Sequence, residues 1–198
     1  IILDYNKNVN ERRLSMKRVL SIQDISCIGK CSLTVALPII SAMGIETSIL
    51  PTSILSTHTM FNDFTFRDLT DDMEPIKKHW QKEGFSFDAI YTGYLGSEKQ
   101  ITLVKDYFKT FGNTCKYIIV DPAMADNGKL YSGFDKDFPL KMAKLCKYAD
   151  VILPNISEAA FMTGMPYPGE NASNECIKDL LLSLAKLGSK KIVITGVE

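Results

Sequence analysis

At 198 residues the chain is long enough for one domain with a full core and too short to argue for two. Its hydrophobic content of 45% and charged content of 23% are ordinary for a globular protein, and Lys+Arg equals Asp+Glu at 23 each, so no charge surplus points to nucleic acid or an anionic membrane as partner. The five cysteines are scattered and the histidines number two, which argues against a zinc centre and for reduced thiols in the cytoplasm.

Residues 1–15 are polar and aperiodic and read as an upstream or disordered tail, with Met16 as the natural start of a domain over 16–198. Arg18–Gln23 is an apolar strand that delivers Asp24, Ser26 and Gly29, and Ser32–Met43 follows as a helix closed by Gly44. Ile45–Leu50 is the second strand, stopped by Pro51. Asp71–Glu83 has acidic residues early and lysines late, the charge order a helix dipole favours. Phe87–Thr92 is a third strand, ending in Gly93-Tyr94-Leu95-Gly96, and Ser97 caps a helix that runs to about Phe111. Tyr117–Val120 ends in Asp121-Pro122, and a helix fits Pro139–Tyr148. Val151–Leu153 ends in Pro154-Asn155, and a short helix starting at Ser157 and Glu158 closes at Gly164. Glu175–Leu187 is helical and Lys191–Thr195 is the last strand. Nowhere do about 18 apolar residues run uninterrupted, so no ordinary membrane span is expected.

Apolar strands separated by helices imply an α/β fold with a mostly parallel sheet covered on both faces. In such a sheet ligands sit outside the carboxyl ends of the strands. Residues 23–24, 52–59, 93–97, 121–126, 155–158 and 195–196 should therefore face one crevice.

Several side chains there could carry chemistry. Asp121 at a strand end could organise Mg²⁺, or cap an Asp-Pro turn. Asn155 and Glu158 could bind metal through water, or complete a capping box. Gly93 to Ser97 permits close backbone approach to a ligand, although one Gly-x-x-Gly is also an ordinary turn. Ser56-Thr57-His58-Thr59 suits a polar heterocycle or a hydrogen-bonded turn, and His79 lies on a charged helix face. No Walker-type Gly-x-x-x-x-Gly-Lys-Ser/Thr is present.

In order, the strand-end motifs SIQDISCIGKCS, LPTSILSTHT, TGYLGS, VDPAMADNGKLY and VILPNISEAAFMTG, followed by KIVITG, resemble the pyridoxal kinases of the ribokinase-like superfamily from Met16 onward. The resemblance implies a three-layer fold and ATP-dependent phosphorylation of the 5′-hydroxymethyl group of pyridoxal, pyridoxine or pyridoxamine, with Mg²⁺, in a cytoplasmic homodimer. By the same resemblance Asp24, His58, Thr59, Gly93 and Tyr94 are on the substrate side. Asp121, Asp126, Asn155, Glu158, Thr195 and Gly196 serve the nucleotide side, with Asp121, Asp126 and Glu158 as the metal set.

Two departures bear on function. Many members of that family have Ser where this chain has Asp24, and a carboxylate favours a protonated ring nitrogen or an amino group. The family's Gly-x-Gly-Asp segment, with its general base, is expected beyond Glu198, so residues 16–198 read as the N-terminal portion of the domain and as inactive alone. Hydroxymethylpyrimidine kinase is the rival reading, though its Gly-Gly-Ala-Gly-like run is replaced here by Ser26–Cys31. A non-catalytic vitamin-binding module is the third.

Overall fold

The computed structural model describes residues 17–169 and 171–197; the expected tail over 1–15 and the start at Met16 lie outside the described residues. In chain order the elements are β1 (Arg18–Ile28), α1 (Leu33–Ala42), β2 (Glu46–Thr57), β3 (Phe66–Asp68), α2 (Thr70–Lys82), β4 (Ala89–Thr92), α3 (Glu98–Phe111) and β5 (Tyr117–Val120). A small pair, β6 (Ala125–Asp126) and β7 (Lys129–Leu130), precedes α4 (Phe138–Cys146), β8 (Val151–Ile152), α5 (Ile156–Thr163), α6 (Asn174–Ala185) and β9 (Lys191–Ile192).

Seven strands form one sheet in the order β3-β2-β1-β4-β5-β8-β9, parallel except for β3, and helices flank it. From β1 the chain steps outward to β2, then crosses back over β1 to β4 and onward to β9. Right-handed crossovers put α1 on one face and the later helices on the other. The reversal makes a crevice between the carboxyl ends of β1 and β4. Strand residues Leu20, Ile22, Leu50, Ile90, Val120 and Ile152 are fully buried, and Met73, Val104, Tyr107, Met142 and Leu184 from the helices pack over them.

Three expectations need correction. β1 does not end at Gln23 but continues to Ile28, and β2 runs through Pro51 to Thr57. Pro51 is tolerated because β3 pairs only from Ser53 onward, so beside Pro51 β2 is still an edge strand. Two residues later the register shifts: Gln23 faces Pro51 but Ile25 faces Ile54, leaving Thr52 and Ser53 opposite Asp24. The freed Thr52 carbonyl accepts from Leu69 N–H (3.1 Å) and from the Gln100 amide (3.0 Å). The hairpin strands β6 and β7, and the antiparallel β3, were not expected, while the last strand is two residues long and continues as an Asn155–Thr195 bridge.

The amino edge of the sheet is tied by two carboxylates. Asp88 accepts the Arg18 N–H (2.8 Å) and Lys17 Nζ (2.8 Å); Asp150 accepts the Ile118 N–H (3.0 Å) and Lys190 Nζ (2.7 Å). The Lys190 ammonium, and then the Ile118 N–H, hold the Asp150 carboxyl below its usual range. A carboxyl lowered on folding stabilises above its unfolded pKa and loses that contribution as pH falls through the folded value. Asp150→Ala is therefore expected to cost about 1–2 kcal/mol in neutral-pH urea unfolding, chiefly from the Ile118 N–H left without its acceptor. The difference from the unsubstituted protein should shrink toward acid.

Candidate active site

Among the described residues, three cavities along the carboxyl edge contain the expected site residues. The largest, about 510 Å³, is walled by Asp24, His58, Thr59, Met60, Tyr94 and Tyr131, and Asp126 reaches it as well. It lies between the end of β1, the β2–β3 connection and the segment after β5. A neighbour of about 380 Å³ shares Tyr94 and Cys31 with it and contains Gln23, Tyr91, Gly93 and Asp121. The third, also about 380 Å³, is bounded by Asp126, Asn155, Ser157, Tyr167, Thr195 and Gly196.

The structure thus brings the expected substrate-side residues Asp24, His58, Thr59 and Tyr94 to one cavity, with Gly93 in the next. It gathers Asp126, Asn155, Thr195 and Gly196 at another, and Asp126 alone of these residues lines both the first and the third. Glu158 lines none of the three.

Asp24 is 5% exposed, and its Oδ1 has no hydrogen-bond partner. The other oxygen accepts weakly from the Ser26 hydroxyl (3.4 Å). Burial raises the Asp24 carboxyl above its usual value, with Ser32 and Ser26 opposing the shift. An unsatisfied buried carboxylate oxygen on a cavity wall is an acceptor waiting for a ligand donor.

Gly93 owes its identity to Gln23 on the neighbouring strand. A Cβ there would stand 2.9 Å from the Gln23 side-chain carbon, so the missing side chain is the seat of that amide. Gln23 in turn donates to Ser21 Oγ (3.1 Å). Nearby, Tyr91 donates a long hydrogen bond (3.5 Å) to Asp121, whose carboxyl burial pushes up to about 6.

Glu158 and Asn155 form a complete capping box on α5. Asn155 Oδ1 accepts the Glu158 N–H (2.8 Å), and Glu158 Oε2 accepts the Asn155 N–H (2.8 Å). Glu158 Oε1 also accepts the Met124 N–H (3.1 Å), and Asn155 Nδ2 donates to the Ala125 carbonyl (2.8 Å). Burial, and then the charge of Asp121, push the Glu158 carboxyl up to about 8. Of the two alternatives for this pair, capping is present in the geometry.

Sequence reading missed Tyr131 and Tyr167, and put Gln23 and Ser157 in the crevice without giving them a role. Tyr131 stands amid carboxylates: burial first, then Glu158, Asp126, Asp121 and Asp24, push its hydroxyl up to about 12. Asn127-Gly128 was a usable signal, since that dipeptide between short apolar stretches marks a two-residue hairpin. His79, on α2, is exposed and lines none of these three cavities.

A family model described as phosphomethylpyrimidine kinase matches residues 46–198. A pyridoxal kinase of Actinobacillus pleuropneumoniae is 27% identical over 188 residues, covering 90% of this chain and 63% of its own. Among solved structures, a Bacteroides thetaiotaomicron protein described as a phosphomethylpyrimidine kinase and crystallised with pyridoxal superposes with a TM-score of 0.88 at 41% identity, over 93% of this chain and 64% of its own. Pyridoxal kinase from Lactobacillus plantarum superposes with a TM-score of 0.79 at 35% identity, over 92% and 62%. The chain spans less than two thirds of the length of each of these relatives.

Proposed function

Because the chain belongs to the phosphomethylpyrimidine kinase family, we propose that the protein transfers the terminal phosphoryl group of ATP to the 5′-hydroxymethyl group of a vitamin B6 compound. The observation that carries this reading is the position of Asp126 on both the largest cavity and the third. An alcohol acceptor in one and a phosphoryl donor in the other would meet beside it. Similarity to the Lactobacillus enzyme and to the pyridoxal-bound Bacteroides protein supports a pyridine ring as the acceptor.

In this reading Asp24 receives a donor of the ring, Tyr94 and Met60 supply apolar walls, and His58 and Thr59 close the polar rim. Asn155, Thr195 and Gly196 face the phosphates. The donor set suits Mg²⁺. Asp121 and Glu158 are crowded carboxyls that a hard cation would relieve, and Asp126 offers an exposed third. Among the described residues these three carboxylates do not converge into one direct metal-binding group, and both Glu158 oxygens accept backbone N–H groups. When bound, Mg²⁺ would offset charge developing on the transferred group. This chain's own residues orient the alcohol and the phosphates.

The domain is proposed to begin at Met16. The exposed apolar side chains Ile28 on β1, Ile39 on α1, Met43 just after it, Ile54 on β2 and Phe66 on β3 support a homodimer. Five free cysteines agree with a cytoplasmic location, and no described helix is long and apolar enough to cross a membrane.

The test is a substrate comparison. The full-length protein is incubated with Mg–ATP and, separately, pyridoxal, pyridoxine, pyridoxamine and hydroxymethylpyrimidine, with ADP release and the phosphorylated product followed together. Turnover of a B6 compound at least about tenfold more efficient than that of the pyrimidine is expected. Preference for the pyrimidine would replace the reading by its rival, and binding without any turnover would make the protein a vitamin-binding module.

A further inference from the structure

Asp126 belongs to a structure that cannot hold itself. β6 and β7 pair only through Ala125–Leu130 and Asp126–Lys129, joined by Asn127 (φ 48°) and Gly128 (φ 70°) in the left-handed region. Two such residues make the tight turn that matches strand twist, but an isolated two-stranded hairpin is marginal at best in water. Its support must come from outside.

Part of that support is polar and comes from the first turn of α5. Glu158 takes the Met124 N–H, Asn155 donates to the Ala125 carbonyl, and Ser157 Oγ accepts the Gly128 N–H at 2.8 Å. These bonds hold the root of the hairpin and one corner of its turn. Ala125 and Leu130 pack into the core at the base of the hairpin, and at its turn a further constraint is a ring. A Cβ on Gly128 would fall 2.5 Å from Tyr167 Cδ1, so the aromatic ring lies directly against the turn backbone.

Tyr167 is itself firmly mounted. It is partly buried against the main core, and Pro166 and Pro168 flank it. Two prolines limit the backbone on either side, so little conformational entropy remains to be lost in placing the ring. The same ring walls the cavity that contains Asn155 and Thr195.

We propose that Tyr167 is a positioning residue for the nucleotide side: its ring, seated on Gly128, fixes the Asp126–Gly128 turn and thereby the place of Asp126 between the two cavities. This rests on the proposed kinase reading for its consequence, though not for its geometry. The side chain touches no reacting atom; it acts through the backbone of the turn.

The test compares Tyr167→Ala with Tyr167→Phe in the full-length protein, by amide hydrogen exchange on the ligand-free form and by calorimetric titration with Mg–ATP and with pyridoxal. Tyr167→Ala is expected to speed exchange at Gly128 and Lys129, and to weaken Mg–ATP about tenfold while pyridoxal affinity stays unchanged. Tyr167→Phe, which keeps the ring, should match the unsubstituted protein in both. Unchanged exchange and Mg–ATP affinity in Tyr167→Ala would overturn the proposal. So would equal losses for both ligands with a lowered unfolding midpoint, or a Phe variant as impaired as the Ala variant. An unsubstituted protein that binds Mg–ATP but phosphorylates no B6 compound overturns the proposed function alone and leaves this comparison readable; one that binds no Mg–ATP overturns both.

Discussion

Glu158→Ala is expected to lower stability by about 3–5 kcal/mol near pH 6, because the buried Met124 N–H and the part-buried Asn155 N–H are left without an acceptor. The side chain is 2% exposed, so water cannot replace it. Urea unfolding measures the loss, and Glu158→Gln, which keeps one acceptor oxygen, should lose about half as much. The pH dependence has a definite sign. Burial lifts this carboxyl from 4.5 to about 8, so between those values the folded protein holds a proton that the unfolded chain has released. Stability then falls as pH rises, by at most about 1.4 kcal/mol per unit for one proton. The glutamine variant lacks that slope, so its deficit should narrow from acid to alkali. A deficit constant with pH would show that Glu158 ionises normally in the fold.

Asp24→Ser is expected to reduce catalytic efficiency by about tenfold to a hundredfold on B6 compounds presenting a protonated nitrogen, the worth of one charge-assisted hydrogen bond. Compounds presenting a neutral acceptor should be far less affected, so the variant changes preference and not only rate. Equal efficiency of the two proteins on every vitamer would dispose of this role. The free protein should respond oppositely. The Asp24 carboxyl is raised by burial, so its ionisation is costlier in the folded state, and stability falls as pH rises from the unfolded to the folded pKa. A neutral residue removes that cost, and Asp24→Asn should melt higher than the unsubstituted protein at neutral pH. Stability given up at one unpaired oxygen is then recovered on binding.

The strand–helix alternation was legible because each buried parallel strand is a short apolar run ended by Gly, Pro or Asp, as at Thr92-Gly93 and Val120-Asp121. From that alternation the crevice followed, and the cavities do collect Asp24, Tyr94, Asp126 and Thr195 at the carboxyl edge. Pro51 misled because a proline normally ends a strand; only the three-dimensional fact that β3 pairs with β2 from Ser53 onward makes it harmless. Glu158 was ambiguous for another reason. The spacing Asn-x-x-Glu serves a cap and a metal equally well, and the choice depends on where Met124 N–H points. Tyr167 carried no signal at all, since its partner Gly128 is distant in the chain and the contact is with backbone.

Asp88 and Asp150 stitch the amino ends of neighbouring strands while the cavities that hold Asp24 and Asp126 open at the other end. The sheet therefore has a hem and a mouth. Residues that keep the strands aligned are not those that meet a ligand, so loops at the mouth can be exchanged in length and chemistry without unravelling the hem. A laboratory seeking a new acceptor alcohol would do best to randomise residues around Asp24 and Thr59 and leave the two aspartates untouched.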